Sequence, residues 1–294
     1  MARRCLNLAG RDAIGTEISR RLKWGARAGY AARGMVYLLV GGLAFLAAIG
    51  AGSTEGTHGA LRTLLGQPFG SLLVSLLGLG LVAFALWRFA QSLADLDRHG
   101  TDPRALVIRL ALFFSGVIHL ALAVFVVSLI VAIGGSGGSG GSGGGSGDPT
   151  SGWLQWLFGH KGGRWAALAL SLVPIGVGLA HIAKGWRAGY EKYIVFEPGS
   201  APFLKPVCSF GLIARGLIFV VIGVLAFYAG GIYDATSAPG LEDALVAIQN
   251  LPFGGILFVL TALGLLAFSG YCFVEAGYRQ IATGRLVAEM LDLA

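Results

Sequence analysis

The sequence predicts an all-α membrane protein: six transmembrane helices as three tandem helix-hairpin repeats with short interfacial half-helices. Three observations predict it. Of 294 residues, 55% are hydrophobic and 13% charged, and the mean hydropathy is +0.73; soluble domains average about 25% charged residues. Apolar runs of about 20 residues, the length that spans a bilayer core as a helix, occur six times. In lipid, helix is the open-chain structure that satisfies its own backbone. The third observation is internal repetition. Gly29–Phe45 returns at Gly211–Phe227, with Gly29, Ala32, Arg33, Gly34, Gly41, Leu43, Ala44 and Phe45 unchanged at an offset of 182. A fainter copy, Arg109–Val126, aligns Gly116 with Gly34.

Residues 1–28 are basic. Ile18, Leu22 and Ala26 lie opposite Arg20, Arg21 and Lys23, a pattern that fits either a short helix on the anionic leaflet or a disordered basic tail. The first span is expected at 31–50. In the following loop, Leu61, Leu64 and Leu65 share a face, as in an interfacial half-helix, and Pro68–Gly70 turns the chain into a second span at 70–90. Together, 29–104 form the first repeat.

The second repeat, 105–206, begins with a span at 107–133. Residues 134–147 are pure Gly and Ser, a composition that stays a flexible coil. The repeat resumes beyond them, which favours a natural insert over an engineered linker. Gly152–Gly163 matches Gly59–Gly70 in its glycines, and a span at 164–183 follows, with Pro174 expected to kink it. The third repeat, 207–282, has spans at 211–230 and 254–274. Between them Leu241, Ala244, Leu245 and Ile248 mark an amphipathic turn before Pro252–Gly254. A polar tail, 283–294, ends the sequence.

The net charge of +7 is topological rather than a nucleic-acid signature. Of 22 Lys and Arg, three (Arg62, Lys161, Arg164) fall in alternate loops and nineteen on the other side. By the positive-inside rule this predicts a multi-pass membrane protein with both termini cytoplasmic. Cys5, Cys208 and Cys272 are odd in number and far apart, with no CxxC, so neither a disulfide framework nor a zinc site is indicated. No Walker loop, HExxH or nucleophile elbow is present. The expectation is no enzyme, no catalytic residue, no cofactor and no metal. The partners implied are the lipid bilayer and anionic lipids.

ARGxxY at Ala32–Tyr37, ARGxxF at Ala214–Phe219, the PFG turns and EAGYR at Glu275–Arg279 resemble the bacterial membrane-protein family catalogued as domain of unknown function 1206. The resemblance covers roughly residues 24–282. It implies up to three copies of a two-helix unit and brings no catalytic or binding residue with it. The middle copy departs: Ser115 stands where Arg33 and Arg215 stand, and His119 where Tyr37 and Phe219 stand.

Two sets of residues are candidates for function. Arg33 and Arg215 each precede a pivotal glycine. Either they snorkel to the interface, or with Arg88 they form an anion or lipid-headgroup site, since guanidinium forks phosphate and carboxylate. His119 and His181 are ionisable groups inside spans, a possible intramembrane polar site; His119 also occupies an aromatic packing position. Gly34, Gly41, Gly116, Gly216 and Gly223 form small-residue stripes suited to close helix packing. Internal repeats suggest a small transporter or channel. The basic inner face and half-helices suit the alternative, a non-catalytic scaffold or lipid-interacting component.

Overall fold

In the computed structural model the described residues are 2–50, 57–97, 100–134, 162–196, 199–232 and 241–281, with backbone alone at 2–15, 104, 132–134 and 232. The Gly/Ser insert from Gly135 onward, the half-helix expected within 152–161, and the tail 283–294 lie outside them. The described residues are helical apart from turns and one antiparallel bridge. The helices are α1 (Ala2–Ala48), α2 (Thr57–Leu65), α3 (Gly70–Leu93), α4 (Pro103–Gly134), α5 (Gly163–Trp186), α6 (Ala201–Ile232), α7 (Leu241–Gln249) and α8 (Gly254–Tyr278). Six of them, α1, α3, α4, α5, α6 and α8, are long and apolar enough to cross a membrane.

Two boundaries differ from expectation. The basic N-terminal segment is neither a separate surface helix nor a tail: it is continuous with the first span as α1. No proline interrupts it, and Arg20 and Arg21 donate to Glu17 at 2.9 and 2.8 Å, which supports the helix one turn back. At 1.5 Å per residue, 47 residues reach about 70 Å, so α1 projects well beyond a core of about 30 Å. The second difference is α6, which starts at Ala201 and runs through Pro206.

The half-helices pack as wedges. α2 lies against α1 and α3, burying Ala60 and Leu61; α7 lies against α6 and α8, burying Ala244, Leu245 and Ile248. Each is followed by a PFG turn whose Phe takes the left-handed conformation: Phe69 at φ 60° and Phe253 at φ 60°. The following glycines are required, because a Cβ on Gly70 would meet the Leu65 carbonyl oxygen, and one on Gly254 the Gln249 carbonyl oxygen. Gly162 holds the same turn position in the second repeat, at φ 88°. Phe69 and Phe253 are 80% and 82% exposed, so little packing offsets their backbone strain. Phe69→Gly and Phe253→Gly are each expected to raise stability by about 1 kcal/mol, measured by denaturation in detergent; a loss would mean that these rings are anchored to something outside the bundle.

The spans pack in the order α4–α3–α1–α8–α6–α5. In each case the first span of one repeat lies against the second span of another: α1 on α8, α6 on α5, and α4 on α3. The pivotal glycines make these joints. A Cβ on Gly34 would meet Phe273 of α8 at 3.2 Å; on Gly216, Ile182 of α5 at 2.6 Å; on Gly116, Phe89 of α3 at 2.8 Å. Gly41 and Gly223 repeat the pattern one stretch along, at 2.9 Å from Leu266 and 2.5 Å from Ile175. The arrangement follows a pseudo-threefold rule with one joint missing. α1 packs on α3 and α6 on α8 within their repeats, but α4 and α5 share no packed interface among the described residues.

At the end opposite the half-helices, residues after α5 fold back. Gln280 donates its amide to the Tyr193 carbonyl at 2.8 Å and Val195 to Tyr278 at 3.2 Å. The buried Tyr190 hydroxyl donates to the Lys205 carbonyl at 2.9 Å. This is the basic end of the bundle.

Candidate functional site

The register of the repeats brings polar side chains to one level. Counting from Gly70, Gly163 and Gly254, the position eighteen residues on holds Arg88, His181 and Cys272, and the position three further on holds Gln91, Lys184 and Glu275. The first spans add Arg33, Ser115 and Arg215, then Tyr37, His119 and Phe219. Each layer draws one residue from every repeat, so the layers converge near the basic end.

Arg33 and Arg215 do not snorkel. They are 5% and 8% exposed. Residues Gly29 and Gly211 explain how they are drawn in. A Cβ on Gly29 would stand 2.7 Å from the Phe84 backbone, and one on Gly211 2.6 Å from the Ala267 carbonyl carbon, so the helices touch backbone to backbone one turn before each arginine. The guanidinium carbon of Arg33 lies 5.3 Å from the Phe84 ring centre and 4.9 Å from Phe268. Arg215 lies 4.6 Å from Tyr37, 4.7 Å from Phe219 and 4.4 Å from Phe268. Arg88 lies 4.7 Å over Phe84 and 5.8 Å from Tyr30. Phe268, itself fully buried, serves both repeat arginines.

The acidic partners sit to one side. Arg279 donates to Glu275 Oε1 at 2.7 Å and to both Asp97 oxygens at 3.2 and 3.1 Å. Gln91 donates to Asp97 at 2.7 Å and accepts from Arg88 Nη1 at 3.1 Å. Lys184 Nζ donates to the Tyr271 hydroxyl at 2.8 Å, and Trp87 Nε1 to the Tyr30 hydroxyl at 3.1 Å. Arg33 is only 3.9 Å from Glu275 Oε2, an ion pair too long for a hydrogen bond. Arg279 takes both carboxylates, though its own Nε is left without an acceptor, and Arg33 is left with the long contact to Glu275.

Magnitudes decide what this means. Among the described residues Arg27 Nε, Arg33 Nε, Arg88 Nε, Arg279 Nε, and Arg215 Nε and Nη1 are buried without an acceptor, as is Glu275 Oε2 without a donor. Each unmade bond costs about 1–3 kcal/mol, and desolvating a charge several kcal/mol more. A desolvated cation–π contact returns about 2 kcal/mol. Among the described residues five cations (Arg33, Arg88, Lys184, Arg215, Arg279) share the cluster with two carboxylates (Asp97, Glu275). The aromatic rings position the guanidiniums but do not neutralise them, so the donor set fits an anion.

The histidines border this cluster. His119 Nδ1 donates to the Ser115 carbonyl at 2.7 Å, and its ring lies 4.6 Å from Phe84. His181 Nδ1 donates to the Val177 carbonyl at 2.8 Å, and its ring is 5.8 Å from Phe219. Since a carbonyl only accepts, Nδ1 carries a proton in both. Among the described residues no group of His, Cys, Asp and Glu converges as a metal site would require. Cys208 and Cys272 are buried free thiols.

Asp97 and Lys184 carry no site expectation from sequence, and Glu275 and Arg279 enter there only through the EAGYR motif. Aligning the PFG and KGG turns puts Gln91, Lys184 and Glu275 in register, and that signal was available. Asp97, in a loop, gave none.

The family profile described as Domain of Unknown Function (DUF1206) matches residues 28–95, 110–188 and 210–279, one segment per repeat. The chain belongs to this family. It is similar to a protein of Bacillus subtilis (strain 168) named Uncharacterized protein YxxB, 28% identical over 260 residues, covering 87% of this chain and 90% of the relative. No solved structure matches it. The family match falls on all three repeats, so in this DUF1206 protein the departures at Ser115 and His119 belong to a true repeat. With six candidate spans and a bacterial relative, this is a multi-pass integral membrane protein.

Proposed function

We propose that this DUF1206 protein binds an anion inside its membrane-embedded bundle and carries it across the bacterial inner membrane, with both termini cytoplasmic. It works by binding and release, without bond-making chemistry. The observation that carries the reading is the pair Arg33 and Arg215. They are buried, stacked on Phe268 and left with free N–H donors. Guanidinium forks phosphate or carboxylate bidentately. Three repeats around one polar level supply the internal pseudo-symmetry common in transporter folds.

A second reading, attachment to anionic lipid surfaces as a scaffold, draws on the exposed Trp24 beside Arg27, with Arg20, Arg21 and Lys23 on the same stretch of α1. Flux separates the two. Proteoliposomes are loaded with inorganic phosphate, citrate, or an NBD-labelled phosphatidate read by dithionite quenching. Movement of at least one probe above protein-free vesicles is expected, and Arg33→Ala with Arg215→Ala should abolish it. No movement of any probe, or equal movement by the double variant, would remove transport as the function.

A further inference from the structure

We propose that the anion is amphiphilic: it enters sideways between α4 and α5, with its phosphate or carboxylate on Arg33 and Arg215 and its acyl chain along Phe114, Ile118, Leu170 and Val173. This rests on the anion reading above and adds the substrate class and the route.

The route follows from the missing joint. In the first and third repeats the two spans close through small residues: a Cβ on Gly80 would meet the Ala32 Cβ, and one on Gly264 the Ala214 Cβ. The same register positions in the second repeat hold Val173 and Phe114. Two bulky side chains replace a glycine–alanine contact, so backbones that touch elsewhere are held apart here. Exposure tracks the change. Ile118 is 65% exposed, whereas its equivalents Val36 and Ile218 are 4% and 3% exposed. Phe114 is exposed where Ala32 and Ala214 are buried, and Leu170 and Val173 are exposed where Leu77 and Gly264 are buried and Thr261 and Gly80 half-buried.

The seam leads to the arginines. Ser115, His119 and His181 flank it at the positions where the other repeats place Arg33, Tyr37 and Arg88. They add no fixed positive charge to the cluster's edge. The seam itself is apolar, which gives a free inorganic anion nothing to bind. An acyl chain gains about 0.8 kcal/mol for each methylene it keeps in an apolar setting, while its headgroup meets the unpartnered guanidinium donors.

Residues 135–161 join α4 to α5, so this segment and a second copy of the chain are rival occupants of the seam. The full chain, carrying benzoylphenylalanine at Val173 or, as a control, at Leu172, is reconstituted in vesicles of phosphatidylcholine with a minor share of phosphatidylglycerol and then illuminated. Position 173 should capture phosphatidylglycerol about fivefold above its share, a preference of about 1 kcal/mol. Position 172 should capture lipid in bulk proportion. Arg33→Lys with Arg215→Lys should erase the enrichment. Adducts at 173 to residues 135–161, to a second copy, or to lipid in bulk proportion would overturn the route. A soluble arm separates the failures: dioctanoyl phosphatidylglycerol should raise the Tm of the unmodified protein at concentrations where glycerol phosphate does not. Equal shifts by both would overturn the amphiphile and leave the anion site standing; no shift by either would remove the anion site itself.

Discussion

Gly211→Ala should cost about 3 kcal/mol or more and deplete the folded protein from membranes. The added Cβ would meet the Phe268 amide nitrogen and stand 2.6 Å from the Ala267 carbonyl carbon. Both are backbone atoms of α8, so no rotamer change relieves the clash and the helices must separate. Overpacking costs 1–3 kcal/mol where side chains can yield; here they cannot. The damage also spreads, because this contact seats Arg215 over Phe268. Gly29→Ala, 2.7 Å from Phe84 backbone atoms, should behave alike. Gly176→Ala and Gly277→Ala, whose added Cβ atoms meet nothing, should lie within about 0.5 kcal/mol of wild type or gain slightly from helix propensity. Urea or thermal denaturation in detergent reads all four. A Gly211→Ala protein as stable as Gly176→Ala would show that α6 and α8 are not in contact.

Glu275→Ala has the second largest expected effect. Glu275 is 2% exposed, accepts from Arg279 at 2.7 Å and is the carboxylate nearest Arg33. Its removal leaves buried cations with Asp97 alone. Breaking a buried pair by deleting one partner costs about 3–5 kcal/mol, mostly through the charge left behind. Glu275→Gln keeps an acceptor without the charge and should fall between. The exposed pair Lys205–Glu191, at 3.0 Å, is the control: Glu191→Ala should change stability by less than about 1 kcal/mol. If Glu275→Ala were as mild as Glu191→Ala, the cluster would be solvated rather than buried.

The spans, the three-repeat order and the half-helix wedges were legible because hydropathy, helical period and a constant offset are written in the chain. Which spans touch was not. The glycine stripes say that a face packs closely, not whether Gly34 meets its own repeat or α8. The fate of the arginines was undecided for a physical reason. Snorkelling and burial call for the same residue at the same helix level, and the aromatics that decide it, Phe268 and Phe84, come from other helices. The seam was half legible. Phe114 and Val173 break the repeat's small-residue rule in plain sight, but their meaning needs Gly80 on Ala32 and Gly264 on Ala214 as reference. Asp97 and Arg279 lie 182 residues apart, and nothing in their local sequence pairs them.

The central claim is that Arg33 and Arg215 together hold an anion, and the most direct test is anion-linked stability of the purified protein. Tm is measured in detergent against increasing dioctanoyl phosphatidylglycerol for wild type and for Arg33→Lys with Arg215→Lys. A ligand at one hundred times its Kd stabilises by about 2.7 kcal/mol, which for a chain of this size is a rise of roughly 4–5 °C. Wild type should show that rise. The lysine variant should fold, keep its charge and lose most of the rise, because ammonium cannot reproduce the planar fork. Equal rises in the two proteins would contradict a site built on the paired guanidiniums.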